Sequence, residues 1–480
     1  MNFVFISPQF PKTYWNFCNR LKNNGVTVLG VGDTPYDALD WDCKNNLDEY
    51  YYVTSLEDYD QVFRAVAYFS FRYGKIDWLE SNNEYWLELD AQLRTDFNIT
   101  TGARNDFIHS IKFKSAMKAG YEKAGVPTAR YHMVSTLEAA EEFIREVGYP
   151  VIVKPDNGCG AEDTYKLKNE NDLKAFYRAL PTVPYIMEEF INGTIVSFDA
   201  VVDSHSVPIF WTSNVFPVPI MDIVNSNGHL SYWTVKDVPE DLRDAGFRTV
   251  KAFGVKSRFV HLEFFRLNED KPGMGKKGDV VALEVNMRPA GGYTPDMINF
   301  ANSVDVYRIW ADMICFDERR DLDEHHQKYY CVYASQRDGR NYVHTHEEIL
   351  ARYGSRIVMC DRMPDALADA MGNQMYTAKL DTYEDLREYV HFIHDENKPF
   401  EENTAVEPLP EEVPDFLNSD AEEAPAAADA TEEKAVTATE ETVVTAQEEK
   451  AEEPKAKPKK ASTRKASAKK AEKEEGTASK

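Results

Sequence analysis

Two short runs, VHLEFF (260–265) and VALEVNMRPAGG (281–292), alternate apolar with polar positions, the period of a strand with one buried face. Glu284, Asn286 and Arg288 are two apart and share a face, and Glu263 sits on the other run. A face bearing a carboxylate, an amide and a guanidinium is hydrated or occupied, because burying such groups unpaired is costly. Two carboxylates and an amide oxygen are hard donors of the kind magnesium accepts while keeping positions for water and phosphate. The arginine beside them can hold negative charge developing on a phosphoryl group or an acyl phosphate. An ion-pair row on an exposed edge strand is the competing reading, and Val281, Leu283 and Val285 argue against it by marking the second run as buried.

A second candidate is KPDNGCGAEDT (154–164). Lys154 ends an apolar strand, and Gly158 and Gly160 allow backbone N–H groups close to phosphate oxygens. The lysine precedes the glycines and no helix follows, so this is not a GxxxxGK[ST] loop. A tight hairpin turn is an equal alternative on these residues alone. Cys159 has no histidine placed to activate it and reads as a small side chain filling the turn.

The elements that must position these groups alternate. Phe3–Ile6, Val26–Val31 and Asp77–Glu80 read as strands, and Tyr14–Asn23 and Leu56–Tyr73 as helices, a β-α-β rhythm that implies a parallel sheet. SPQFP follows the first strand, so the GxGxxG fingerprint is absent and NAD is not invoked. A second rhythm begins with a helix over 111–124 closed by Gly125-Val126-Pro127. Strand Arg130–Val134 follows, then a helix with Leu137, Ala140, Ile144 and Val147 on one face. Strands Val151–Lys154, Thr164–Leu167 and Tyr185–Ile191 and helix Asn171–Leu180 complete a small α+β lobe suited to be a lid. Residues 268–279 (NEDKPGMGKKGD) form an expected exposed hairpin between the two polar runs. Residues 372–394 read as a strand, a Thr-capped turn and a helix.

Composition narrows the function. The chain has 480 residues and a formal net charge of -26, which disfavours general nucleic-acid binding. No apolar run reaches the roughly 20 residues of a membrane span. The N-terminal MNFVFI lacks a basic start and reads as a buried strand rather than a signal peptide. Six scattered cysteines without CxxC suggest reduced thiols in a cytoplasm. From residue 401 the chain becomes Ala, Glu, Lys, Thr and Pro, carrying about -14 over 401–450 and +5 over 451–480. Such a segment is expected to be a disordered, solubilising tail whose basic tip is its one nucleic-acid-compatible feature.

Taken together and in order, these segments resemble the ATP-grasp superfamily, and within it the carboxylate–amine ligase-like proteins. KFKSAMKAGYEKAGVPT is similar to the superfamily segment whose lysine meets the nucleotide phosphates, which implies Lys114, with Lys112 and Lys118 as alternatives. YPVIVKPDNGCGAEDT is similar to the strand and loop in which Lys154, Gly158, Cys159 and Gly160 would close over the phosphates. YIMEEFI resembles the hinge along the adenine, implying Glu188, Glu189, Phe190 and Ile191. HLEFF and LEVNMRP resemble the metal strands, implying Glu263, Glu284 and Asn286 for Mg2+ (or Mn2+) and Arg288, with Lys154, for catalysis.

The resemblance covers roughly 1–400. It implies an α/β architecture: a Rossmann-like pre-ATP-grasp domain (1–110), an ATP-grasp domain (111–325) with an α+β lid at about 128–192, its C-terminal part (326–400), and the disordered tail (401–480). The implied reaction uses ATP to convert a carboxylate to an acyl phosphate for attack by an amine, releasing ADP and phosphate. A kinase or phosphotransferase on the same scaffold, or a non-catalytic nucleotide-binding protein, is the alternative. Small carboxylate and amine substrates are the expected partners, with a homodimer as an allowed assembly. The usual acidic ribose ligand after the hinge is missing, with Ile195 in its place; Asp199 either substitutes for it or faces solvent. The aromatics of 213–239, where relatives vary their substrate contacts, read as packing ahead of stacking on substrate, and Arg337 and Arg340 either bind a substrate carboxylate or lie on an exposed turn.

Overall fold

The structure is a computed structural model and describes residues 1–158, 163–321 and 326–397. The expected disordered tail, with Cys159 and Gly160 of the glycine loop, lies outside the described residues.

The N-terminal rhythm builds a four-stranded parallel sheet in the order Glu49–Tyr52, Thr27–Gly32, Asn2–Ile6, Trp78–Glu80. Phe3, Val4, Phe5 and Ile6 are all buried, because helices cover both faces and leave no polar side. The strand Glu49–Tyr52 (EYYY) was not expected. It is an edge strand whose tyrosines are partly exposed, so it shows no apolar alternation.

The lid is a four-stranded antiparallel sheet, Tyr131–Met133, Tyr185–Glu189, Val151–Pro155, Tyr165–Leu167. Helix Leu137–Val147 packs on it, capped by Thr136 as its sequence demands. The central sheet has nine strands. Its main path runs Val280–Asn286, Arg258–Leu267, Gly193–Val202, Asn214–Phe216, Ser231–Thr234, Tyr330–Gln336, Gln374–Leu380, Ile357–Arg362, with Pro208–Thr212 pairing Gly193–Val202. The expected C-terminal strand and Thr-capped helix are present as Gln374–Leu380 and Tyr383–His394, with Thr382 accepting from the Asp385 N–H.

The single helix expected over 111–124 is two: Asn105–Lys112 and Lys114–Ala124, broken at Phe113, whose ψ of 122° is extended. The break places the second helix start against the lid strand. The Lys114 N–H donates to the Asp156 carbonyl at 2.9 Å, and the Asp156 carboxylate accepts from the Ser115 N–H and hydroxyl, both at 2.7 Å. Asp156 thus caps the helix from another element, supplying what Phe113 cannot.

The aromatic segment 213–239 is mostly packing. Phe216 stacks on Tyr232 at 4.9 Å between ring centroids, and Tyr232 on Tyr333 at 5.1 Å. Trp233 is fully buried on the opposite face. Helix Glu240–Phe253 lies close on the central sheet because Gly246 has no side chain. A Cβ there would sit 2.3 Å from the Phe198 ring. Gly246→Ala is therefore expected to destabilise the fold by about 1–3 kcal/mol in urea unfolding, with part of the loss recovered when Phe198→Leu is added.

Candidate functional site

The two polar runs pair antiparallel, with His261 opposite Asn286 and Glu263 opposite Glu284, and the register shifts immediately after Glu263. Directly opposed residues have Cβ atoms about 5 Å apart, so the two candidate metal carboxylates face each other across the pair. Like charges in that position repel unless cations sit among them. Here they do. Glu263 Oε1 is 3.0 Å from His261 Nε2, and Glu284 Oε1 is 3.2 Å from Lys114 Nζ. His261 Nδ1 is in turn 2.7 Å from Asp199 Oδ1. Burial alone would lower the imidazole, but Asp199 and Glu263 outweigh it and hold it up at about 9, so it is a cation at neutral pH. Burial would likewise raise Glu263, yet its bond to His261 and the nearby His261, Arg288 and Lys154 charges keep it below the usual carboxylate range.

Both carboxylates stay partly accessible, with side chains 24% and 20% exposed, and Asn286 lines the same face. Among the described residues no group of three or more His, Cys, Asp or Glu is arranged to hold a metal ion. Two carboxylates and an amide fit an ion that completes its shell with water and phosphate oxygens, as magnesium does.

The lysines converge from two elements. Lys114 Nζ donates to the Gly158 carbonyl at 3.0 Å, tying the new helix to the start of the glycine loop. Lys154, at the end of its lid strand, is 2.7 Å from Glu188 Oε2. Lys118 pairs with the other Glu188 oxygen and donates to Thr128 Oγ1 at 2.9 Å. Burial acts to raise Glu188, but Lys118 and Lys154 hold it at about 2. Glu188 is thus the shared counter-ion of Lys118 and Lys154. Glu189, next along the strand, faces the other way. Arg130 grips it through Nε at 3.0 Å and Nη2 at 2.8 Å, and Lys271 lies 3.3 Å from it. Their backbone, with Phe190 and Ile191, remains as the candidate base lining.

The insert 268–279 is a hairpin loop as expected, but it is not merely exposed. Lys271 donates to the Phe190 carbonyl at 2.8 Å, so the insert anchors the hinge. Lys166 also adjoins it, its Nζ 3.7 Å from the Phe190 ring centroid. Neither contact was legible in the sequence.

Arg288 Nε is 3.2 Å from Glu84 Oε2, and Lys112 Nζ is 2.6 Å from Glu84 Oε1. Glu84 comes from the SNNE segment after the fourth parallel strand, so the N-terminal layer reaches the candidate catalytic arginine. Lys112 therefore serves Glu84, while Lys114 is the lysine beside Gly158 and Glu284. Asp199 is not a ribose ligand. It is fully buried, accepts from Asn214 Nδ2 at 2.8 Å and from Ser197, and supports His261. Arg337 and Arg340 do not form a substrate arm either. Arg337 donates to the carbonyls of Gly228, Ala368 and Asp369 at 2.6, 3.2 and 2.8 Å, and Arg340 pairs Glu396 at 3.0 Å.

A family profile described as an ATP-grasp domain matches residues 112–292, the span from Lys112 through Gly292 that carries every one of these strands and lysines. That stretch is therefore similar to an ATP-grasp domain. The chain is 22% identical over 271 residues to alanine–anticapsin ligase of Bacillus subtilis, covering 52% of this chain and 56% of that protein. It is 26% identical over 194 residues to the carbamoyl phosphate synthase large chain of Beutenbergia cavernae, covering 39% and 17%. The chain thus spans about half the length, or less, of these curated relatives. A solved L-amino acid ligase from Bacillus licheniformis superposes with a TM-score of 0.62 at 14% identity, covering 82% of this chain and 97% of that one.

Within the matched stretch, Glu188 gives a direct test of the buried charge map. Glu188→Gln leaves two buried ammonium groups without their anion and is expected to cost about 3–5 kcal/mol in urea unfolding. The Glu188 carboxyl is lowered on folding, so its contribution is complete above the ordinary glutamate value and disappears as pH falls through about 2. The gap between variant and wild type should accordingly be full near neutrality and narrow on acidification below about pH 4.5.

Proposed function

We propose that this protein is an ATP-dependent ligase that activates a carboxylate as an acyl phosphate for attack by an amine, releasing ADP and phosphate. The observation that carries this reading is Lys114 joining Glu284 to the Gly158 carbonyl, with Lys154 held charged by Glu188, Glu284 and Glu263, Glu263 opposite Glu284, and Asn286 and Arg288 on the continuing strand. A bound Mg2+ or Mn2+ would supply Lewis-acid charge neutralisation at the phosphate oxygens, held by Glu263, Glu284 and Asn286. His261 presents Glu263 in one orientation. Lys114 and Lys154 neutralise the β- and γ-phosphates beside Gly158. The hinge backbone at Glu188 and Glu189, with Phe190 and Ile191, receives the base.

A carboxylate is a poor electrophile because its charge is delocalised. Its oxygen attacks the γ-phosphorus as the bond to ADP breaks, and the amine then attacks the acyl carbon as phosphate leaves and a proton is lost. Arg288 exchanges Glu84 for the reacting carboxylate or its phosphorylated form. The lid excludes the water that would hydrolyse the intermediate. Two ligases among the relatives, named for alanine–anticapsin and for L-amino acids, support an amino acid as one of the substrates.

No helix among the described residues is long and apolar enough to cross a membrane, and the described cysteines are unpaired. Both support a cytoplasmic enzyme acting on small molecules, and a homodimer remains part of the proposal.

Purified protein given Mg-ATP and pools of amino acids and small acids should release ADP and yield condensed products by mass. Release of AMP and pyrophosphate would overturn the assignment, and a stable phosphorylated product would favour the kinase alternative. Glu284→Gln and Lys154→Ala are expected to lower turnover by about 100- to 1000-fold or more while the protein stays folded. Deleting 401–480 should leave turnover unchanged, measured as ADP release per mole of enzyme.

A further inference from the structure

The strand Trp78–Glu80 of the parallel sheet ends in an ion cluster that none of the steps above uses. Glu80 Oε2 is 2.8 Å from Arg94 Nη2 and 3.1 Å from Arg258 Nη2. Arg94 is fully buried and spends its other nitrogens on the carbonyls of Leu79 (2.9 Å) and Ala103 (2.8 Å). Asp90 accepts from the Ser81 N–H at 3.0 Å and hydroxyl at 2.7 Å. Every backbone group from Leu79 to Ser81 named here is thereby pinned to helix Leu87–Asp96 or to the linker before residue 105.

Arg258 carries this order across to the metal strands. It opens strand Arg258–Leu267, is 3% exposed, and donates from Nε to the Met287 carbonyl at 2.9 Å. Met287 stands between the candidate metal ligand Asn286 and the candidate catalytic Arg288, at the point where strand Val280–Asn286 ends and the ladder no longer holds the chain. A carbonyl just past a strand end is free to rotate unless another group fixes it, and a rotation there re-aims both neighbours.

The two segments are therefore joined twice. The buried rung is Glu80–Arg258–Met287, and the second, nearer the reacting groups, is Glu84–Arg288 at 3.2 Å. The second rung must open for Arg288 to meet substrate, so only the first can hold the geometry throughout a turnover.

We propose that Arg258, anchored by Glu80 and Arg94, is a positioning residue: through the Met287 carbonyl it sets the aim of Asn286 and Arg288, and it keys both to the N-terminal Rossmann-like layer. Arg258 touches neither nucleotide nor substrate, and the inference rests on the ligase reading above. Groups that orient metal ligands from behind commonly matter by about 10- to 100-fold in metal affinity or activity. A guanidinium is needed because it serves a carbonyl and a carboxylate at fixed angles, which an ammonium cannot do.

Arg258→Lys keeps the charge beside Glu80 and removes the planar fork. The decisive readout is Mn2+ binding to the protein–ADP complex by electron paramagnetic resonance, set beside metal-free ADP binding by calorimetry. Arg258→Lys is expected to weaken Mn2+ binding by about tenfold or more, with ADP affinity within about twofold of wild type and kcat falling while KM for ATP holds. A merely structural role would lower thermal stability and leave the metal affinity of the folded fraction unmoved, which overturns the proposal. If Arg258→Lys does not fold, Glu80→Gln, which keeps the side-chain shape, must show the same loss of Mn2+ affinity, and an unchanged affinity there also overturns it. Wild-type protein that binds no Mn2+–ADP sinks the ligase reading itself. Wild-type protein that binds it normally while Arg258→Lys does too sinks only the positioning role.

Discussion

Opposing Glu263 and Glu284 across one antiparallel pair sets the problem that the rest of the site solves. Two carboxylates about 5 Å apart at Cβ, partly withdrawn from water, are tolerable only with positive charge brought among them. Neighbouring residues on the same strands cannot supply enough, because the face already alternates His261, Glu263 and Asn286, Glu284. Among them only His261, backed by the buried Asp199, is a cation, and the others come from a helix start (Lys114) and from the lid strand (Lys154). Burial works against the Lys154 charge, and Glu188, Glu284 and Glu263 together raise it above its ordinary value. The site is thus internally compensated: lysines proposed to meet phosphates already lean on the carboxylates proposed to hold the metal. On that reading nucleotide and metal would enter together as a nearly balanced exchange of partners.

The same constraint explains why the lid is tethered as it is. Lys154 shares Glu188 with Lys118, so a lid lysine, a lid glutamate and a lysine on the helix beneath form one unit. Asp156 caps that helix from the lid side. On the opposite face of the hinge, Arg130, Glu189 and Lys271 join the lid to the loop between the two metal strands. Motion of the lid therefore cannot be independent of the phosphate lysines or of the metal hairpin. On the proposed reading, a closure that carried Lys154 toward a nucleotide would also pull on Lys118 through Glu188 and on Lys271 through Glu189.

Legibility in the sequence followed the range of the interaction. The metal strands were readable because alternation is local: Glu284, Asn286 and Arg288 are two apart whatever the fold. The Gly125 stop and the Thr136 and Thr382 caps were readable for the same reason, since each is settled within four residues. The break at Phe113 was not, because its cause is Asp156, more than forty positions away. The strand Glu49–Tyr52 was missed because an edge strand with half-exposed tyrosines carries no apolar period. The side-chain partners of Asp199 and Glu188 were hidden in the same manner, because His261 and the two lysines that pair with them lie in other segments. Arg337 and Arg340 looked free in ASQRDGRNY, and nothing local shows that carbonyls from two other segments and Glu396 await them.

The arrangement also separates the stretch that matches an ATP-grasp domain from the segment that reaches it from outside. The candidate phosphate lysines, the opposed carboxylates and the candidate hinge all lie between Lys112 and Gly292, within that stretch. The groups that reach it from outside, Glu84 on Arg288 and Glu80 on Arg258, come from one five-residue stretch, Glu80–Glu84, at the end of a parallel strand. A single segment thus meets the nucleotide-handling half at both its rigid and its exchangeable contact. Changing the residues just after that strand alters the surroundings of Arg288 without disturbing the Lys154–Glu188–Lys118 unit or the Glu263–Glu284 pair. In an acyl-phosphate mechanism that is where substrate choice belongs, because the phosphoryl donor stays the same while the carboxylate differs.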